Sequence, residues 1–356
     1  MEQKIQRFNE WLSQQSHDAI SIGLFDGQMG LCIYWYQQSR LYNDRVYEQR
    51  AGQLLDKVFS NVRRCLVVDL ENGILGIGFG ILYLLENKYI EGVVNNVLFE
   101  LDEKIFQQLY FVYVLKVKKS QRELLTLTWG LLYLCCRLRT GILEQVDGFL
   151  YRALLVRGLN SLETALRDIP LGEPCRFSLV GYYTPVLVRL LSNMYKLDIF
   201  TDKLDMLCRG LVEKIYSSTP FNMGNRIVLC SEIEILVSNL KDQGIKSELM
   251  MYVNMLLQGI DVSSFLLNGL KDKQLSMDNG AAGILLYLGF INVHTKFQLD
   301  EDRMTRRLFD SGLWDDWKNG ISCDGFPLMG CSMYHGLPGI IFSYQCYHLV
   351  WQQKNI

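Results

Sequence analysis

Four short segments of the chain share one pattern: FDGQMGLCIYW (25–35), ENGILGIGFGILYLL (71–85), DNGAAGILLYLG (278–289) and YHGLPGIIFSY (334–344). Each reads polar, then Gly-x-x-Gly, then one or more turns of large apolar residues. The first glycines are Gly27, Gly73, Gly280 and Gly336. Self-similarity at a near-constant period is the signature of a repeat architecture, in which each unit buries its apolar face against its neighbours.

The long gap between the second and third copies has room for three weaker ones. LLTLTWGLLYLCC (124–136) keeps the second glycine, Gly130, with Leu127 in place of the first. LVGYYTPVLVRLL (179–191) puts Tyr183 there, and VLCSEIEILVSNL (228–240) puts Glu232 there. The series becomes seven units of about 50 residues, each long enough for two helices.

The segment after each Gly-x-x-Gly is apolar almost all round, which predicts a helix buried on every side. Between these lie one-sided helices. In residues 45–62, Val46, Leu54, Leu55, Val58 and Val62 share a face; in 93–109, Val94, Val97, Leu98, Leu101, Ile105 and Leu109 do the same. An inner layer alternating with an outer one describes a single all-α domain over 1–356, an α/α toroid (double-layer barrel) of about seven helical hairpins. Glycines at the inner-helix starts would let neighbouring inner helices approach closely. The only strand candidate, RCLVVDL (64–70), reads better as a connection.

Composition narrows the function class. A formal charge of −2 and a pI near 6.1 give no electrostatic reason to expect nucleic acid or an anionic membrane. The most apolar runs, 72–85 and 279–293, are interrupted by glycines and fall short of the ~20 residues a membrane span needs. The polar start MEQKIQRFNEWLSQQ has no apolar signal region, and ten cysteines scattered through helical stretches read as reduced thiols. These features predict a soluble, cytoplasmic protein.

With seven Gly-x-x-Gly inner helices, the chain resembles the lanthionine synthetase C-like proteins, the cyclases of lanthipeptide maturation. The resemblance covers nearly the whole chain, most strongly at 22–41 and 70–88. It implies a central zinc ion that activates a peptide cysteine as thiolate, which adds to a dehydroamino acid to close a thioether ring. The family's ligands are a Cys two residues before the first glycine of the fifth repeat and a Cys-His directly before that of the sixth. Here these positions hold Cys230, Asp278 and Asn279, so one ligand of three is retained. In a rival register, slid by one unit, YHG at 334–336 stands for Cys-His-Gly and only His335 survives as a ligand.

Two further family positions fall on Glu123, which keeps a carboxylate, and on Tyr182, where the family has a histidine. If catalysis is retained, Glu123, Tyr182 and His335 are the candidate catalytic residues. No cofactor is expected; zinc is the alternative, with Cys230, Asp278 and His335 as candidate ligands. The implied partners are a precursor peptide or a peptide-modifying enzyme.

Several motifs have plainer readings. Asp26, Asn72, Asp278 and Asn279 precede Gly-x-x-Gly and are natural N-caps. Glu123 suits a helix start, where a carboxylate complements the dipole. Cys323, Cys331 and His335 cluster in sequence, but their spacing matches no common zinc pattern. Cys135 and Cys136 are adjacent on a helix and point apart, and GIGFG (76–80) lacks the strand that a dinucleotide fingerprint requires. Three functions follow: a zinc-independent relative of the cyclases that binds a precursor peptide or partner enzyme, an active zinc cyclase with a non-standard ligand set, or a carbohydrate-active enzyme on an α/α barrel using paired carboxylates.

Overall fold

The computed structural model describes residues 1–18, 20–116, 119–140, 145–168, 171–258, 261, 264–266, 275–290, 301–310, 314 and 331–354. Among them the chain is all-α. The helices are α1 (Glu2–Gln14), α2 (Gln28–Tyr42), α3 (Arg45–Val62), α4 (Ile74–Glu86), α5 (Val94–Gln108), α6 (Gln121–Arg139) and α7 (Gln145–Asp168). They continue as α8 (Tyr183–Lys196), α9 (Thr201–Ser217), α10 (Met223–Asn239), α11 (Gln243–Leu257), α12 (Ala281–Phe290), α13 (Glu301–Phe309) and α14 (Leu337–Lys354). A π-helical turn, Leu109–Val114, extends α5. Segment 64–70 is a connection, as expected, and the only β pairing among the described residues is an isolated bridge between Ser21 and Gly27.

Two compact units divide the chain: 1–67 with 71–80 and 260–356, and 68–70 with 81–259. In the first, α2 packs on α3, α12 on α14, and α14 on α2. In the second, α6 packs on α8 and α8 on α10, while α7, α9 and α11 lie against them. Both units therefore alternate inner and outer helices as the periodicity requires. Helix α2 is buried without a break from Gln28 to Gln38, whereas α3 buries only Ala51, Leu54, Leu55 and Val58. Val46, expected on the apolar face of α3, is 53% exposed. It sits in the first turn, beyond the reach of α2's buried stripe. Asn43 in the left-handed region ends α2 and Asp44 caps α3, accepting from the Val46 N–H, so the two helices form a tight hairpin.

The last inner helix meets the first. Gln345 of α14 accepts from Gln37 at 3.1 Å and from Gln38 at 2.7 Å, and the Cys346 thiol lies 3.6 Å from the Gln37 amide oxygen.

The glycines do something the sequence reading did not anticipate. A Cβ on Gly30 would overlap the Leu24 carbonyl, and one on Gly339 would overlap the Met333 carbonyl. In each case the obstacle is the backbone oxygen six residues upstream. The second glycine thus admits the pre-helix loop against the first turn. Gly80 alone of these fits the expectation of close inner helices, since its Cβ would meet Met29 of α2.

Two middle registers are corrected. Helix α8 begins at Tyr183, as placed, but Leu127 lies in the second turn of α6 and Glu232 in the third turn of α10. Neither marks a helix start. Glu232 is 1% exposed and paired with Arg189 of α8, whose Nε donates at 2.7 Å. That guanidinium lies 6.0 Å from the Trp129 ring on α6. Where the strong repeats use a glycine, this one uses an ion pair to join inner helices.

Candidate functional site

The starts of four inner helices lie along one hydrogen-bonded line. The N–H of Asp278 donates to the carbonyl of Tyr334 at 3.1 Å, that of Tyr334 to Phe25 at 3.2 Å, and that of Phe25 to Glu71 at 3.0 Å. Each of these residues stands two before the first glycine of its repeat, so the pairing matches residue to residue the alignment drawn from sequence. Asn279, His335, Asp26 and Asn72 are consequently equivalent positions, at the mouths of α12, α14, α2 and α4.

Asp26, Asn72 and Asn279, with Asp278, were expected to cap their helices. They do not need to. The first N–H groups are taken by loop carbonyls: Gln28 donates to Ser21 at 2.7 Å, Ile74 to Val67 at 2.9 Å and Ala282 to Leu275 at 3.2 Å. Helix α2 has Gly27 as its N-cap, with no side-chain cap bond. Asn72 accepts from the Ser21 hydroxyl at 3.0 Å and Asn279 from the Ser276 hydroxyl at 3.0 Å. Asp26 is released for another purpose.

Asp26, Asp278, Ser332 and His335 form one group. Ser332, His335 and Asp278 all act electrostatically on the Asp26 carboxyl. Burial raises the proton affinity of Asp26; His335 and Ser332 oppose this, and Asp278 adds to it. Its Oδ1 is sealed from solvent without a hydrogen-bond partner among the described residues. The His335 N–H donates to Ser332 Oγ at 3.0 Å, and its ring rests 5.0 Å from that of Tyr334, which packs 4.7 Å from Phe25. A carboxyl of raised proton affinity, within electrostatic range of a second carboxyl and a histidine, is equipped for proton exchange at a helix mouth.

The remaining sequence candidates fall in the other unit. Cys230 lies in the third turn of α10 at 3% exposure, within electrostatic range of Tyr182. Tyr182 is the N-cap residue of α8, and burial pushes its hydroxyl well above the usual tyrosine range. It is thereby a weaker acid than an exposed tyrosine. Glu123 is the third residue of α6 and closes a capping box with Ser120. Lys116 donates to its Oε1 at 2.6 Å and the Ser120 N–H to Oε2 at 2.9 Å, holding the carboxyl down at about 2. Its helix-start reading is the one these contacts support. Cys323 lies outside the described residues; Cys331 is a buried thiol, and burial raises it to about 11.

The residues present do not fit the zinc set that the resemblance implies. At the sixth inner helix, Asp278 lies within electrostatic range of Asp26, and the Asn279 oxygen is held by Ser276. Among the described residues, no three His, Cys, Asp or Glu side chains gather as a metal site. Counted along the described chain, His335 opens the seventh inner helix, the place that carries no ligand in the first register.

No family model matches the chain, and no curated protein does. Among solved structures it is similar to a nisin cyclase at 12% identity, over 98% of this chain and 93% of that one, with a TM-score of 0.47. Among the described residues, no helix is long and apolar enough to cross a membrane.

Sequence reasoning missed Asp26 and Ser332. The alignment itself held the signal for Asp26, because it sets that residue in the same position as His335. Ser332 lies in the loop before the repeat and had none.

Proposed function

We propose that the chain is a lanthionine synthetase C-like protein that works without zinc and binds a precursor peptide or partner enzyme during maturation of a ribosomally made peptide. The observation that carries this reading is the line of four matched helix mouths. The repeat frame is kept to the level of equivalent backbone bonds, while the ligand positions of the sixth repeat are given to Asp278 and to an asparagine already bonded to Ser276. A frame kept without its metal set favours recognition over thioether closure. The same mouths supply the peptide-facing groups: His335 with two carboxyls, beside Tyr334 and Phe25.

The test pairs two measurements on the purified, untagged chain: metal content by mass spectrometry, and binding of a labelled Ser/Thr/Cys-containing precursor peptide with and without chelator. Binding that is indifferent to chelator, in protein without stoichiometric zinc, is the expected result. About one zinc per chain, lost in His335→Ala, would establish the rival register and an active cyclase with a non-standard ligand set.

The electrostatic influence of Asp278 on Asp26 favours a second reading, an acid/base hydrolase of carbohydrate on an α/α barrel. Hydrolysis of an oligosaccharide panel, abolished in Asp26→Asn, would support it over the first.

A further inference from the structure

A cavity of about 380 Å3 opens in the second unit, between the outer helices α5 and α7 and against α6. Its floor is a buried ion pair. Arg137 and Asp102 have side chains only 1% and 7% exposed and meet at 2.8 Å. Every group on this floor has partners. Arg137 also donates to Asn95 at 3.0 Å and to Thr140 at 2.9 Å, and Tyr133 donates to the other Asp102 oxygen at 2.6 Å. The pair is therefore neutral as a unit and places no net charge at the base.

The walls are aromatic. Phe106 and Tyr151 stack at 6.0 Å with planes 21° apart, and Phe99 stands opposite solvent at 63% exposure. Phe99 adds an aromatic ring to the lining, so the cavity combines apolar walls with a few fixed polar groups, the make-up of a recognition pocket. The rim carries Glu103. Its carboxylate accepts from Gln107 at 3.3 Å, and no cation pairs with it among the described residues. With Arg137 already balanced by Asp102, Glu103 is the one lining charge without a counter-ion among the described residues.

Aromatic faces and an unpaired carboxylate select the same chemistry. The faces of the rings attract a cation through their quadrupole, and Glu103 attracts it by charge. We infer that this pocket binds an organic cation on an apolar stem, the chemistry of a lysine side chain. A neutral aromatic ligand would use the walls and leave Glu103 idle; an anion would be repelled by it. The inference does not rest on the reading of the helix mouths, since none of its residues belongs to them and its test involves neither metal nor precursor peptide.

The experiment is a titration of the full chain with Nα-acetyl-lysine methylamide, followed by ligand-observed NMR and calorimetry. The neutral control is the same compound acetylated on Nε. The cationic probe should bind in the millimolar range, and the control at least about three-fold more weakly, the loss of one cation–π contact and one rim ion pair. Glu103→Gln should weaken the cationic probe about three-fold and leave the control unchanged. Phe99→Ala should weaken it by three- to five-fold. Both positions are on the surface, so the fold is kept. Equal binding of the two probes, indifference to both substitutions, or no binding at about 20 mM would each overturn the assignment.

Discussion

Removing the Arg137 guanidinium should be among the most damaging single changes to the second unit. Arg137→Met keeps most of the stem, so packing against α5 and α6 is largely preserved and the charge alone is withdrawn. What remains is Asp102 at 7% side-chain exposure, with Tyr133 as its strongest remaining donor and no cation. The Asn95 amide oxygen loses its Arg137 donor at the same time, while the Thr140 hydroxyl keeps the Arg137 carbonyl. Stranding one member of a buried pair costs about 3–5 kcal/mol, far more than the net worth of the pair. The cost should depend on pH with a definite sign. Burial already raises the Asp102 proton affinity, and without Arg137 nothing comparable opposes it. A folded-state pKa above the unfolded one stabilises at low pH and is lost as pH rises through the folded value, so the variant should lose less at pH 5 than at pH 8. Adding Asp102→Asn should restore about 2 kcal/mol, because the uncompensated charge is gone. Urea denaturation at both pH values, followed by far-UV circular dichroism, reads all of this. Arg157→Met is the control: Arg157 bonds the Tyr110 hydroxyl at an exposed site and should cost under about 1 kcal/mol. An Arg137→Met loss below about 1 kcal/mol, or a double variant no better than the single, would refute the stranded-charge argument.

Two smaller predictions test the frame around the helix mouths. Gly339→Ala should destabilise by about 1–3 kcal/mol because its Cβ would displace the Met333 carbonyl, while Gly52→Ala, in the interior of α3 with nothing within 4 Å, should stabilise by about 0.5–1 kcal/mol; thermal melts of both variants check the contrast. His17 is buried, with its Nε2 lacking a partner among the described residues, and burial, followed by Lys57 and Arg50, lowers its pKa. Folded His17 thus refuses a proton that the unfolded chain accepts, so stability should be complete above about 6.5 and fall as pH drops toward the folded value, with a slope of up to about 1.4 kcal/mol per pH unit. In His17→Phe that slope should disappear from the pH series.

The inner and outer helices were legible because burial leaves a periodic mark. The all-round apolar run after Gly27 and the one-sided stripe of Leu54, Leu55 and Val58 fall where the pattern puts them. Matched mouths were legible for the same reason: a backbone that repeats its hydrogen bonds repeats its glycines. The middle units were harder to read, since Leu127 and Glu232 hold their helices by other means. At Gly130 of α6 the Leu109 side chain stands where the strong repeats put a loop carbonyl, and in α10 the buried Glu232 carboxylate reaches for Arg189. Neither solution has a fixed spacing. The pair of Asp102 and Arg137 was invisible for a related reason, as its members lie on different helices and nothing in either local pattern points to the other.

The same distinction governs the candidate site. Position two before each glycine is set by backbone bonds and tolerates Asp278, Tyr334, Phe25 or Glu71, because only its N–H and carbonyl are used. At the position one before the glycine, the side chain has no first N–H to cap at α2, α4 and α12, where loop carbonyls take it. That position is free to be chosen for chemistry. At α4 and α12 it holds asparagines that bond to nearby serines, which stiffen the loops. At α2 and α14 it holds Asp26 and His335, which act on each other and on Asp278. Titratable groups at two adjacent mouths, on a frame that does not need them for folding, are the best place on this chain to look for what it does.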